Sequence, residues 1–273
     1  MHSKLFRIAI SGARGKMGTS LIKEILKNNY KNIFLSSVIV KKEDSSIGQD
    51  IGKIIGIKNA GVCVSDSLKK EINKFDILID FTNPTSTIKH LKICALNNKK
   101  IVIGTTGLSN TDIKTIKILS QKISIVFSPN YSIGINLMLS LLKKTSTTIG
   151  KDSDIEIIEA HHREKKDAPS GTAIEMGKVI SNEMNWNFQK QAIYTRNGLT
   201  RKRRENEIGF SSIRAGDIIG DHTAIFASPG ERIEITHKAT NRSIFSKGAI
   251  KAAIWLMLQK KAGLFNMLDV LNI

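Results

Sequence analysis

An apolar run that enters a glycine cluster limits the fold of this chain more than any other part of its sequence. Phe6–Ser11 has the composition of a buried strand, glycines follow at positions 12, 15 and 18, and apolar residues recur at helical spacing over residues 21–26. Glycines at a strand-to-helix turn let the backbone approach a pyrophosphate, and the first N–H groups of the helix point toward it. The junction therefore predicts a dinucleotide-binding loop, with a tight turn that binds nothing as the alternative.

Apolar runs and helical patterns alternate as far as residue 131. Strands are predicted at 33–40, 62–64, 77–81, 101–103 and 123–127, with helical spacing between them. Because alternating strands and helices build parallel sheets, this part of the chain predicts a Rossmann-type doubly wound parallel sheet.

The pattern changes beyond residue 131. A strand is predicted at 155–160 and a helix at 171–184, and short strands at hairpin-like spacing follow between residues 208 and 237. These features predict a second α+β domain with a mixed or antiparallel sheet. The helix at 248–258 is too apolar for a free surface helix, so we expect it to pack back onto the first domain. The predicted α/β chain thus has one domain of residues 1–131 and 241–273 and another of residues 132–240.

The charge balance is the unusual bulk property. Lys and Arg number 42 against 24 Asp and Glu, a formal net charge of +18 that would suit nucleic acid, a membrane surface or an acidic ligand. The lysines are scattered along the chain, and the densest basic run, residues 201–204, has no interleaved aromatic residues and predicts a solvated loop. We therefore expect no specific nucleic-acid partner.

Composition excludes several other classes of protein. A hydrophobic content of 41% is enough for a folded core. No apolar stretch approaches the roughly 18 residues of a membrane span, and a strand pattern beginning at residue 6 leaves no room for a signal peptide, so we expect a cytoplasmic protein with no membrane partner. Cys63 and Cys94 lack metal-ligand spacing; we expect no metal site and two reduced thiols that are buried or half-buried.

The end of the second predicted strand bears on cofactor choice. A carboxylate there would accept hydrogen bonds from the adenosine ribose and repel a 2′-phosphate. Here Val40 is followed by Lys41 and Lys42, with no acid before Glu43. This predicts that NADPH binds at least as well as NADH; the alternative is that both lysines are loop charges in water.

Two further loops follow predicted parallel strands. Residues 104–107 are Gly-Thr-Thr-Gly and residues 128–131 are Ser-Pro-Asn-Tyr. Loops at the carboxyl ends of parallel strands line the ligand crevice of such a sheet, so these hydroxyl and amide groups could meet the nicotinamide and its ribose. Each could also be ordinary turn chemistry.

Segment 159–172 has the densest group of reactive side chains. His161, His162 and several cations follow an apolar strand and could bind an acidic substrate, and His161 or Lys165 could donate a proton during a reduction. Residues 170–172 open a helix whose N-terminus is suited to a carboxylate. A metal site lacks a third ligand nearby, because the other four histidines are isolated from this pair; a solvated charged loop is the remaining alternative.

Several motifs in this sequence, in order and spacing, resemble those of the 4-hydroxy-tetrahydrodipicolinate reductase family, also called dihydrodipicolinate reductases. The motifs are Gly12-x-x-Gly15-Lys16-Met17-Gly18, Phe81-Thr82 before Pro84, Gly104-Thr105-Thr106-Gly107, Asn130-Tyr131-Ser132-x-Gly134, and the run from Glu159-Ala160-His161-His162-Arg163 through Lys165 to Ser170-Gly171-Thr172-Ala173. The likeness continues through Arg214-Ala215-Gly216-Asp217 to the C-terminal helix.

The resemblance implies NAD(P)H-dependent reduction of 4-hydroxy-tetrahydrodipicolinate, with loss of water, in the diaminopimelate pathway of lysine biosynthesis. It implies that the first domain binds NADPH or NADH, and that the second binds a small dicarboxylate and usually builds a homotetramer. His161 and Lys165 would be the proton donors, and His162, Gly171 and Thr172 would bind substrate. The implied cofactor contacts are Gly12, Ala13, Arg14, Gly15, Lys16, Met17, Lys41, Gly104, Thr105, Thr106, Ser128, Pro129, Asn130 and Tyr131.

Two departures from the family bear on the cofactor. Val40 stands where many relatives carry the ribose-binding acid, and Arg14 replaces a small residue in the glycine loop, whereas Lys41 is basic where the family can meet a 2′-phosphate. Rival hypotheses are a Rossmann enzyme for another carbonyl substrate, a basic nucleic-acid-binding protein, and a dinucleotide sensor without turnover.

Overall fold

A computed structural model describes residues 5–28 and 30–273 of the chain. It separates into two units, one formed by residues 1–133 with 243–273 and the other by residues 134–242. The first unit therefore takes segments from both ends of the chain.

The first unit alternates strands and helices. Its elements are β1 (Phe6–Ser11), α1 (Lys16–Lys27), β2 (Ile33–Ile39), α2 (Ile51–Ile54), β3 (Val64–Ser65), α3 (Leu68–Glu71), β4 (Ile77–Asp80), α4 (Pro84–Leu96), β5 (Lys100–Ile103), α5 (Asn110–Leu119) and β6 (Ser124–Phe127). Capping residues start several of these helices, because Ser and Asn side chains accept from the free N–H groups of the first turn; Asn83 caps α4 and Ser109 caps α5.

The strands of this unit form one parallel sheet in the order β12-β6-β5-β4-β1-β2-β3, where β12 is a late strand, Gly263–Phe265. The direction of winding reverses at β1, which pairs with β2 on one side and β4 on the other. The core lies on both faces of the sheet, and Ile8, Ile10, Leu78 and Ile79 have no exposed surface. The predicted doubly wound parallel sheet is confirmed.

The second unit combines helices with a five-stranded sheet. Its elements are α6 (Ile133–Ile149), β7 (Asp154–His161), α7 (Gly171–Glu183), α8 (Phe188–Gln191), β8 (Ala192–Ile193), β9 (Ile208–Arg214), β10 (Gly220–Ser228) and β11 (Glu231–Ala239). The strand order is β11-β10-β7-β9-β8, antiparallel at β10–β11 and β10–β7 and parallel at β7–β9 and β8–β9. The sheet is therefore mixed, as predicted.

Only one of the hairpin-like spacings produces a hairpin. β10 and β11 pair through a tight turn, whereas β7 lies between β9 and β10, so those two consecutive strands do not pair. The first of the short strands predicted from residue 208 onward is a single strand of seven residues, β9. Sequence spacing could not show this, since β7 comes from a distant segment.

One local expectation was wrong, and another, the solvated loop at residues 201–204, holds for three of its four residues. Cys63 is exposed, and only Cys94 is buried. Residues 201–204 lie in a loop, but the Arg203 side chain is only 20% exposed and its Nη2 donates to the carbonyl oxygens of Ile155, at 2.9 Å, and Glu207, at 2.7 Å. Acidic side chains at the nearby ends of β7 and β9 attract this guanidinium out of solvent.

The chain returns to the first unit through α9 (Ser243–Leu258), β12 and α10 (Met267–Leu271). α9 buries small and apolar side chains within the core of this unit. Lys100 at the start of β5 donates to the carbonyl oxygens of Leu256, Met257 and Gln259, which satisfies the free carbonyls at the end of α9. Within the described part of the chain, no helix is long and apolar enough to span a membrane.

Gly248 sets how closely α9 approaches the chain. A Cβ atom there would lie 1.7 Å from the carbonyl oxygen of Tyr131. We expect Gly248→Ala to destabilise the first unit by about 1–3 kcal/mol, since the helix must move away from backbone. Lys251→Ala, an exposed position on the same helix, serves as the control. Thermal melting followed by circular dichroism should show a lower Tm for the first variant only, and equal values would contradict this packing.

Candidate active site

The glycine loop at the end of β1 is shaped by close backbone contacts. Gly12 has φ +74°, and a Cβ there would lie 3.0 Å from Thr82 Cγ2 and 3.2 Å from the Phe81 carbonyl oxygen. A Cβ on Gly18 would lie 2.2 Å from the Gly12 carbonyl oxygen. Gly15 precedes α1 with no side-chain cap, so the first N–H groups of this helix stay available to an anion.

A cavity of about 580 Å³ opens beside this loop. Its charged lining residues come from the glycine loop, the segment after β2, the segment after β3 and α4; they are Arg14, Lys41, Lys42, Glu43, Asp44, Asp66 and Lys89. Glycine backbone and clustered cations suit a dinucleotide, whose phosphates carry negative charge. The residues present therefore fit the predicted cofactor.

An ion pair lines this cavity close to the end of β2. Asp44 lies 2.8 Å from Arg14 Nη1 across the cavity. Hydrogen bonds from Ser46 and then from Arg14 lower the pKa of Asp44 to about 2. The sequence did not predict this pair, because Arg14 and Asp44 are 30 residues apart and no local pattern connects them.

The loops after β4 and β5 contact each other. Asp80, fully buried at the end of β4, accepts from Thr82 Oγ1 at 2.6 Å and lies 2.6 Å from His90 Nδ1. The Thr105 hydroxyl accepts from the Thr82 N–H at 3.1 Å. A Cβ on Gly104 would lie 2.0 Å from the Phe81 ring. These contacts hold the predicted loop 104–107 against the loop that lines the cavity.

The remaining predicted cofactor residues differ in their exposure. Thr106 and Pro129 are exposed, whereas Ser128 is buried. The Ser128 hydroxyl donates a hydrogen bond to the carbonyl oxygen of Asn130 at 2.8 Å. The Tyr131 side chain lies in the core and its hydroxyl donates to the Ile103 carbonyl oxygen at 2.8 Å. Only the backbone of Tyr131 is therefore left to contact a ligand. Among the loop residues, Ala13 is buried, Lys16 is exposed and Met17 is half-buried.

In the second unit, His161 ends β7 and is held by a buried carboxylate. Its Nδ1 lies 2.5 Å from Glu159 Oε2, and Glu159 is 1% exposed. Both residues lie on the same face of β7, since strand side chains alternate. Arg214 from the neighbouring β9 binds both carboxylate oxygens of Glu159, at 2.9 and 2.7 Å.

The charge states of this pair follow from its surroundings. Burial opposes ionisation of Glu159, but hydrogen bonds from Arg214, Ser212 and His161 lower its pKa to about 2. Burial lowers the pKa of His161, and the neighbouring Glu159 opposes that shift. At neutral pH the pair is therefore a carboxylate and a neutral imidazole.

The loop between β7 and α7 carries the other predicted residues. Lys165 is 20% exposed and its Nζ donates to both carboxylate oxygens of Asp167 at 2.8 Å, while His162 is half-buried. Ser170 caps α7, so Gly171 and Thr172 form its first turn. Nothing lies within 4 Å of a Cβ built on Gly171, which leaves this helix N-terminus open.

His222 on β10 was not predicted as a site residue. Its ring lies against His161, with centroids 5.1 Å apart, and its Nε2 lies 3.0 Å from the Ser170 hydroxyl. Burial, with a smaller contribution from His161, lowers the pKa of His222 to about 4, so its ring is neutral at pH 7. The expectation that the other four histidines are isolated was therefore wrong for His222, because β10 pairs with β7.

Glu159 and Arg214 were also missed as site residues. Both belong to the motifs that resemble the family, but the residues next to them in sequence do not indicate that the two side chains meet. The one available signal was the spacing of Glu159 and His161, which places both on one face of a strand. No group of three or more metal-ligating side chains occurs among the described residues.

The parallel sheet with a glycine loop at its switch point is that of a nucleotide-binding protein of Rossmann type. Family models narrow this class: "Dihydrodipicolinate reductase, N-terminus" matches residues 6–131, and "Dihydrodipicolinate reductase, C-terminus" matches residues 134–271. The chain belongs to the dihydrodipicolinate reductase family and is an oxidoreductase.

Individual relatives agree along the whole length. A protein of Buchnera aphidicola subsp. Baizongia pistaciae (strain Bp) named 4-hydroxy-tetrahydrodipicolinate reductase is 58% identical over 274 residues and covers 100% of both chains. The protein of that name from subsp. Acyrthosiphon pisum (strain 5A) is 53% identical, covering 99% of this chain and 100% of its own. The solved dipicolinate-bound dihydrodipicolinate reductase from Paenisporosarcina sp. TG-14 is 26% identical, with a TM-score of 0.78 and coverage of 97% and 98%.

The crowding at Gly12 predicts a loss of cofactor affinity in a variant. Gly12→Ala combines a positive φ with a Cβ that presses on Thr82 and Phe81 at the cavity wall. We expect at least about a tenfold weaker NADPH affinity, a change of roughly 1.4 kcal/mol. Gly56→Ala is the matched control, because Gly56 also has a positive φ, +71°, but no atom lies within 4 Å of its added Cβ. Isothermal titration with NADPH should show weaker binding for Gly12→Ala only. An equal loss of affinity in both variants would show that backbone strain at a positive φ is the whole cause.

Proposed function

We propose that this chain is a 4-hydroxy-tetrahydrodipicolinate reductase, which converts 4-hydroxy-tetrahydrodipicolinate to tetrahydrodipicolinate with loss of water in the diaminopimelate pathway of lysine biosynthesis. The observation that carries the proposal is the full-length match to relatives of that name. The geometry of the second unit agrees with it, because an imidazole lies beside an open helix N-terminus.

We assign the substrate's carboxylates to the start of α7. The solved relative from Paenisporosarcina binds dipicolinate, an aromatic dicarboxylate. In this chain the first turn of α7 carries free N–H groups at Gly171 and Thr172, and a helix N-terminus favours an anion. The family resemblance adds His162 as a further substrate contact.

We assign the cofactor to the first unit. NADPH or NADH, when bound, supplies the hydride for the reduction. The backbone at Gly12 and Gly15 and the first turn of α1 would hold the pyrophosphate, while loops 104–106 and 128–131 would hold the nicotinamide half. Arg14, Lys41 and Lys42 line the same cavity and would attract a 2′-phosphate.

The proton that accompanies the hydride would come from His161 or Lys165. A carbon or nitrogen that gains electron density during reduction needs a proton donor in hydrogen-bond reach. The His161 imidazole is held by Glu159, and the Lys165 ammonium is held by Asp167. The carboxylate partners orient both donors and leave them in place when the product departs.

The other parts of the proposal concern organisation. The first unit would be the dinucleotide-binding domain and the second the substrate-binding and oligomerisation domain. A homotetramer and a cytoplasmic location follow from the family resemblance and stay predictions.

A coupled assay tests the function and the cofactor choice together. Purified protein is mixed with NADPH or NADH and with substrate made in place by a synthase from pyruvate and aspartate semialdehyde, and loss of the reduced cofactor's absorbance is recorded. We expect oxidation that requires the synthase and both precursors, with kcat/KM for NADPH at least equal to that for NADH. A strong NADH preference would contradict the role of the cavity lysines. Cofactor binding without oxidation would instead favour another substrate or a sensor.

The proton donors are tested by His161→Gln and Lys165→Met. Each should lower kcat by about 10²- to 10⁴-fold, the usual contribution of a general acid. NADPH affinity should stay at the wild-type value, because both residues lie in the second unit. Lys166→Met, an exposed neighbour, is the control. Unchanged turnover in both test variants would show that the acid lies elsewhere.

A further inference from the structure

We propose that Glu159 is a positioning residue for this reaction: one buried carboxylate sets the tautomer of His161 and, at the same time, holds Ser170, the N-cap of α7. Because it concerns the same site, this rests on the function proposed above.

The carboxylate of Glu159 is held at both oxygens. Oε2 lies 2.5 Å from His161 Nδ1 and 2.9 Å from Arg214 Nη1. Oε1 lies 2.7 Å from Arg214 Nη2 and accepts from the backbone N–H of Ser170 at 3.2 Å. A two-point guanidinium contact fixes the plane of a carboxylate, so the group cannot rotate away from either partner.

The charge of Glu159 determines which nitrogen of His161 carries hydrogen. Despite its burial the carboxyl stays ionised, with its pKa lowered to about 2 by Arg214, Ser212 and His161. An ionised carboxylate only accepts hydrogen bonds, so His161 Nδ1 must be the protonated nitrogen. Nε2 is then the atom through which His161 takes up and gives away a proton.

His161 is buried, and the backbone of Gly220 lies close to its Nε2 edge. A Cβ on Gly220 would lie 3.0 Å from His161 Nε2, so a residue without a side chain lies at this edge. The charged and titratable groups that face the ring are Glu159 on its own strand, Arg214 on β9, His222 on β10 and Lys165 in the following loop. Only Glu159 favours the imidazolium, because both cations disfavour it and His222 is neutral at pH 7.

The same carboxylate reaches the carboxylate-binding turn through Ser170. The Ser170 N–H donates to Glu159, its hydroxyl accepts from the Ala173 N–H at 3.2 Å, and that hydroxyl also lies 3.0 Å from His222 Nε2. Ser170 is therefore immobilised at its backbone and at its side chain. A change at Glu159 should consequently affect both the proton donor and the binding of a dicarboxylate.

The test variant is Glu159→Gln, which keeps the shape and removes the charge. Without the carboxylate, protonated His161 loses its one stabilising partner, so its pKa falls. Since a general acid must be protonated, the decline of kcat with rising pH should begin at a lower pH than in the wild type. At pH 7.5 we expect kcat to fall about 10²-fold and KM for the substrate to rise, with NADPH affinity unchanged.

Glu156→Gln is the matched control. Glu156 lies on the same strand, faces the opposite side of the sheet and also pairs with arginines, Arg196 at 3.0 Å and Arg203 at 3.5 Å. It should leave the pH profile unchanged. A Glu159→Gln variant with lower kcat but an unshifted pH profile, or with no change at all, would overturn the proposal.

A second measurement does not depend on the variant folding. ¹⁵N NMR of wild-type protein labelled at histidine, assigned with His161→Gln, should show His161 protonated at Nδ1 and bare at Nε2 at pH 7.5. The opposite tautomer would overturn the assignment. Because this experiment needs no substrate, it separates failure of the Glu159 role from failure of the proposed function, which would instead appear as wild-type protein without reductase turnover.

Discussion

The position of β1 in the parallel sheet, where the direction of winding reverses, is the constraint on which the first unit depends. β1 pairs with β2 on one side and with β4 on the other, so the loops after these three strands diverge and leave a crevice at their carboxyl ends. Gly12, Val40 and Phe81 all line the cavity that results. Glycine is required where the loop after β1 meets the loop after β4, since a Cβ on Gly12 would press on Thr82 and Phe81.

Buried carboxylates organise the loops of both units. In the first unit the Asp80 carboxylate, at the end of β4, accepts a hydrogen bond from the Thr82 hydroxyl and contacts the ring of His90. In the second unit the Glu159 carboxylate, near the end of β7, is hydrogen-bonded to His161, Arg214 and the Ser170 N–H. A charge removed from water is costly unless every lone pair has a donor, so each carboxylate restricts the segments that supply those donors. The loops that carry the candidate site residues are held in this way.

Prediction from sequence succeeded where the information was local. The strand–glycine–helix junction, the strand starts at Phe6 and Ile33 and the helix opening at Gly171 all depend on neighbours within a few residues, and the structure has them at these positions. Prediction failed where a distant segment intervened. Arg203, in the predicted solvated loop, donates to a carbonyl of β7 and to that of Glu207, and Cys63, expected to be buried or half-buried, is exposed.

The sequence alone determined that this chain carries a dinucleotide-type glycine loop, a parallel sheet followed by a mixed one, and a segment rich in histidine and lysine directly before a helix. These depend on the order of residues along one strand or one turn. Only the tertiary structure determined that Arg214 and His222 stand beside His161 and that Asp44 meets Arg14. The reason is physical: strand order within a sheet is selected by the packing of the whole unit, and the insertion of β7 between β9 and β10 brings together side chains that no local pattern connects.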